Sequence, residues 1–153
     1  MKTLILYATK YGAAAEIANR IAKRIDGAVV HDLKSGNIPA IEGFDRIILG
    51  SSVYAGSVRK EAKVFAANNA AALANKTVGL FISGFVEDDK YYATNYPKIL
   101  LDRVKVKGFL GGIFDPAKAG AMERFITKLV MKQSGYINRI DDAAIDKFVN
   151  DLK

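Results

Sequence analysis

The chain has 153 residues, with 23 Lys and Arg against 16 Asp and Glu, one histidine and no cysteine. Disulfides, thiolate nucleophiles, Cys-ligated zinc or iron–sulfur centres and multi-His metal sites are therefore excluded. The net charge of +7 favours anionic partners, and a half-apolar, quarter-charged composition predicts one globular domain over 1–153 with a sizeable core.

In chain order, apolar runs predict strands at 3–8 (TLILYA), 28–33 (AVVHDL), 45–50 (DRIILG), 77–83 (TVGLFIS) and 105–113 (KVKGFLGGI). Their Ile, Val and Leu content suits a parallel sheet covered on both faces. Helical patterns fall between them at about 13–26, 59–74 and 90–103. A last helix is expected over about 142–152, with Asp141 or Asp142 as its N-cap. Alternation of this kind gives an α/β fold, a three-layer α/β/α sandwich around a five-stranded parallel sheet. Met1-Lys2 runs straight into the first strand and no apolar run reaches the length of a membrane span, so the expected location is cytoplasmic.

In such sheets ligands bind outside the carboxyl ends of the strands. Here the loops at that edge are 9–14, 51–58 and 84–91. The first lies between a strand and a helix opening at about Ala13, where free backbone N–H groups and the helix dipole favour a phosphate. No G-x-G-x-x-G follows strand 1 and no Walker sequence is present. Asp32, at the end of strand 2, is a weak lead toward a ribose without those glycines. A phosphoryl-receiver site needs aspartates where this chain has Thr9-Lys10 and Ser51. A hydrolytic triad would have to use His31, which lies on strand 2 away from its loop end and reads as structural.

The chain resembles the flavodoxin family over nearly its whole length. Thr9-Lys10-Tyr11-Gly12-Ala13-Ala14 stands where that family has the S/T-x-T-G-x-T loop that binds the phosphate of FMN. Tyr11 and Ala14 replace hydroxyl residues, and each lost donor costs about 0.5–1.5 kcal/mol of binding. Gly50-Ser51-Ser52-Val53-Tyr54-Ala55-Gly56-Ser57 resembles the family's isoalloxazine loop. The resemblance implies that Tyr54 packs on the ring and that a backbone carbonyl near Gly56 meets flavin N5, with Ser51, Ser52, Val53 and Ala55 around it. Ser83, Gly84, Phe85, Asp89 and Tyr91, after strand 4, would cover the other face, with Tyr91 or Tyr92 stacking and Phe85 a rival. Glu87, Asp88 and Asp89 would either lower the flavin's potential or form an acidic helix N-terminus.

Between strand 5 and the last helix lies an added segment, 118–135, in which Met122, Phe125, Ile126, Leu129 and Val130 form one helical stripe beside Arg124, Lys128 and Lys132. It reads as a core-facing helix, a dimer seam, or a basic amphipathic helix lying on an anionic membrane or a hydrophobic partner. Its run from Met122 to Gly135 resembles the matching segment of the flavodoxin-like, quinone-dependent protoporphyrinogen oxidase group. That resemblance implies an anionic porphyrinogen as substrate, a quinone as acceptor and peripheral contact with the inner face of the membrane. Three readings follow: an FMN-dependent oxidoreductase of that type, a flavodoxin carrying electrons to a redox partner protein, or an interaction module of the same fold without flavin. None of them needs nucleic acid, and no catalytic side chain or metal ligand stands out.

Overall fold

Thr3–Ala8 (β1) is an apolar run covered on both faces, as a central strand of a parallel sheet must be. The structure, a computed structural model, describes residues 1–131 and 135–153; the side chains of Met122, Ile126, Val130 and Met131 also lie outside the description. Val29–Asp32 (β2) and Arg46–Tyr54 (β3) flank β1, both parallel to it. A two-residue strand, Ser57–Val58 (β4), folds back antiparallel on the end of β3. Thr77–Ser83 (β5) and Val106–Phe109 (β6) complete the order β2-β1-β3-β5-β6. The sheet reverses its direction of growth at β1, which opens a crevice at the carboxyl ends of β1 and β3.

Alternate residues of each strand face opposite layers. Ile5, Ile48 and Phe81 pack under Ala13–Ala22 (α1) and Asp142–Leu152 (α6). Leu4, Leu6, Leu49 and Leu80 pack under Lys60–Leu73 (α2), Lys90–Asn95 (α3) and Lys98–Leu101 (α4). Glycines make room for aromatic rings in this core. A β-carbon on Gly108 would stand 2.8 Å from the ring of Phe148, and one on Gly79 2.9 Å. Asp141 caps α6, its carboxylate accepting from the Ala144 N–H at 3.0 Å.

Four predicted elements differ from those observed. The first helix stops at Ala22 instead of running to 26, because three-residue bonds from Arg24 to Ile21 and Ile25 to Ala22 tighten its end before Gly27 turns left-handed. The predicted helix 90–103 is two helices: Pro97 holds Tyr96 in an extended conformation and breaks the ladder. The third strand runs on to Tyr54, so the predicted loop 51–58 is the tip of a β-hairpin. The predicted strand 105–113 splits at Gly111 (φ 84°) into β6 and a separate ribbon, where Ile113–Phe114 (β7) pairs antiparallel with Ile137–Asn138 (β8). A side chain on Gly111 would meet the Arg139 carbonyl at 1.9 Å, so the ribbon depends on that glycine.

The added segment forms a helix, Ala121–Met131 (α5). Of its predicted stripe, Phe125 and Leu129 are 62% and 63% exposed, so neither is a core residue. Arg124 and Lys128 are exposed beside them. The side chains of Met122, Ile126 and Val130, and the neighbouring Lys132, Gln133 and Ser134, lie outside what the structure describes.

Candidate functional site

The loop after β1 is shaped by Thr9 and Gly12. The Thr9 hydroxyl accepts from the Gly12 N–H at 2.9 Å, and Gly12 takes φ 103° as it enters α1. Ala13 and Ala14 turn their methyl groups into the core under α1. Their N–H groups are in the first turn of the helix, where no intrahelical acceptor exists. Lys10 lies beside this turn, and the Lys118 ammonium stands 4.0 Å from where a β-carbon on Gly12 would be. Backbone donors, a helix N-terminus and two lysines therefore suit a phosphate, even with Tyr11 and Ala14 in place of hydroxyl donors.

The second wall of the crevice is the β3–β4 hairpin. Ala55 (φ 50°) and Gly56 (φ 78°) form its two-residue turn, both left-handed, as a turn matched to strand twist requires. Ser51 is buried, accepting from the Arg59 N–H at 2.9 Å and donating to the Ser52 carbonyl, so it locks the hairpin base. Ser52 accepts from the Lys10 N–H at 3.3 Å and ties the two loops together. Val53 is half-buried against the core, while Tyr54 projects from the tip, 38% exposed.

The third loop stands on other supports. Ser83 is buried at the end of β5, and the Gly84 N–H donates to the Gly111 carbonyl at 3.1 Å. Phe85 joins a small cluster with Phe114, Ala119 and Ile137. Asp88 accepts from the Lys90 N–H, and Asp89 is the residue preceding α3, so the acidic trio sits at a helix N-terminus. Tyr91 packs half-buried on the core. Tyr92 is buried with its hydroxyl donating to the Gly108 carbonyl at 2.7 Å, and burial raises its pKa above the usual tyrosine value. Asp32, the weak ribose lead, instead caps the turn after β2 by accepting from the Lys34 N–H. His31 is next to the carboxyl end of β2, not away from it, and its Nε2 is 2.7 Å from the Gly36 carbonyl oxygen. That contact ties the end of β2 to the turn that follows it.

Three residues of the crevice have no role in the sequence reading. Glu123 reaches from α5 over both loops: Lys10 Nζ donates to its Oε1 at 2.9 Å, Tyr54 Oη to the same oxygen at 2.8 Å, and Tyr11 Oη to Oε2. The Tyr11 hydroxyl, then Lys10 and Tyr54, against an opposing desolvation, hold the Glu123 carboxyl down at about 2. Lys10 sits 3.1 Å from the centroid of the Tyr54 ring; partial burial lowers its pKa, but its contacts with Tyr54 and Tyr11 and its bond to Glu123 outweigh this and raise it. Arg59 lies 5.9 Å from the same centroid, and Lys118 completes the set. Glu123 and Lys118 both lie in the added segment, but spacing alone does not show which way a charged helix face points.

Comparisons with known proteins agree with this architecture. The model of the flavodoxin domain family matches residues 4–140. The protoporphyrinogen IX dehydrogenase (quinone) of Escherichia coli strain K12 is 28% identical, over 88% of this chain and 81% of its own length. The flavodoxin of Streptococcus pneumoniae TIGR4 superposes with a TM-score of 0.61 at 16% identity, covering 99% of this chain and 97% of that one. Oxidised flavodoxin 2 of Bacillus cereus gives 0.54 at 26% identity over 73% and 82% of the two chains. A flavoprotein of Lactobacillus acidophilus solved in complex with FMN gives 0.53 at 19% identity, over 72% and 91%.

Proposed function

The chain belongs to the flavodoxin domain family, and from that premise we propose that it binds FMN in the crevice between the β1 loop and the β3–β4 hairpin and works as a redox protein. Thr9, Lys10, Tyr11, Gly12, Ala13 and Ala14 would hold the phosphate, with Lys118 adding charge. Tyr54, presented by Ser51, Ser52, Val53, Ala55 and Gly56, would flank the ring, and Ser83, Gly84, Phe85, Asp89 and Tyr91 would border it on the far side. When bound, FMN supplies the electron-transfer chemistry, and the protein supplies binding, orientation and local charge. Accordingly, no side chain here is assigned as a catalytic acid or base.

We further propose that the protein is an oxidoreductase acting on an anionic porphyrinogen with a quinone as acceptor. One observation carries this reading: the 28% identity to the E. coli quinone dehydrogenase of protoporphyrinogen, which extends over 88% of the chain. The exposed face of α5 supports it. Phe125 and Leu129 stand open to solvent next to Arg124 and Lys128, the composition of a helix that rests on an anionic lipid surface, where a quinone would be met. Among the described residues no helix is long and apolar enough to cross a membrane, so contact would be peripheral.

A second reading, an electron carrier between partner proteins, draws on the same exposed apolar face, which equally suits a protein partner. The test loads the protein with FMN and adds protoporphyrinogen without oxygen, following porphyrin fluorescence with and without a soluble quinone. Quinone-dependent porphyrin formation supports the oxidoreductase. Its absence, together with reduction by a flavodoxin reductase, supports the carrier.

A further inference from the structure

Glu123 lies 113 residues beyond Lys10 and 69 beyond Tyr54, yet it joins the two loops that frame the crevice. Both of its oxygens are engaged, and its three donors come from both walls. Among the described residues, every side-chain hydrogen bond from α5 to those walls runs through this one carboxylate. Phe125 and Leu129 point to solvent. The bond also fixes Lys10, whose ammonium lies 3.1 Å from the Tyr54 ring centroid.

Resting on the reading of this crevice as a flavin site, we propose that the Glu123 latch, which ties α5 to both walls, is an internal competitor for the ligand's phosphate. The phosphate and Glu123 draw on the same ammonium, and a second anion beside Lys10 is opposed by the first. A ring stacked on the face of Tyr54 that Lys10 covers would likewise have to displace the ammonium. Ligand binding and latching are thus antagonistic. Because such coupling is reciprocal, FMN loosens α5 to the extent that the latch weakens FMN.

The experiment titrates FMN and riboflavin into the full wild-type chain, E123Q and Lys10→Met, and follows hydrogen exchange across α5 with and without saturating FMN. E123Q is expected to bind FMN about tenfold more tightly than wild type, with a smaller gain for riboflavin, which lacks the phosphate. Exchange in α5 should rise in wild type when FMN is added, and should already be high in free E123Q and free Lys10→Met. Lys10→Met, unlike E123Q, should bind FMN more weakly. Equal or weaker FMN binding by E123Q, or an α5 more protected with FMN, overturns the latch while leaving the flavin site standing. Faster α5 exchange in both variants without FMN binding by any chain supports the latch and removes the flavin reading.

Discussion

Phe81 fills the space that a side chain at Gly50 would need: a β-carbon there would stand 1.9 Å from the ring atom Cζ. The two residues are cross-strand partners on β5 and β3, and Phe81 in turn meets Phe148 edge-on at 6.4 Å between ring centroids. The strand that carries the crevice hairpin is therefore seated under α6 by one missing methyl group. Phe81 is fully buried, so its ring has no empty space into which to swing.

Gly50→Ala should cost about 1–3 kcal/mol through overpacking. Urea unfolding followed by circular dichroism checks this, with the midpoint falling and the slope unchanged. A midpoint equal to wild type would mean that Phe81 finds a second rotamer.

Ala55 is the one residue of the hairpin turn that pays for its left-handed backbone, since Gly56 adopts the same region freely. Ala55→Gly should raise stability by up to about 1 kcal/mol, or roughly 2–4 °C in Tm for a domain of this size. A lower Tm would show that the turn changes its conformation with the substitution.

Phe125 and Leu129 are more than 60% exposed, so Phe125→Ser with Leu129→Ser should leave Tm and FMN binding near wild type. The same pair should reduce co-sedimentation with anionic vesicles severalfold. Loss of FMN binding or collapse of the fold would instead place these residues in the core of the working protein.

Glu123 gives a pH prediction of definite sign. Its folded-state value of about 2 lies below the ordinary 4.5, so its contribution is complete above the unfolded value and disappears as pH falls toward the folded one. Lys10 and the Tyr11 hydroxyl, both with raised values, keep their protons throughout that window. The stability of wild type relative to E123Q should therefore shrink between about pH 5 and about pH 3, measured by urea unfolding at both. A difference that stays constant or grows would show that the carboxylate gains nothing from its three donors.

Much of this protein was legible along the chain. β5 matches its predicted span residue for residue, as does α6, whose cap Asp141 was one of two candidates. Apolar runs and helical spacing are properties of about ten consecutive residues, and burial of both sheet faces imposes them whatever lies elsewhere. The binding edge was legible for the same reason, because parallel strands in alternation with helices bring their carboxyl ends to one side. Only tertiary structure decided the hairpin after β3, the ribbon split off at Gly111 and the closing of Glu123 on Lys10, Tyr11 and Tyr54. Each depends on which distant backbone or charge arrives opposite a segment, and a carboxylate on a helix meets solvent or an ammonium according to packing that no local pattern encodes.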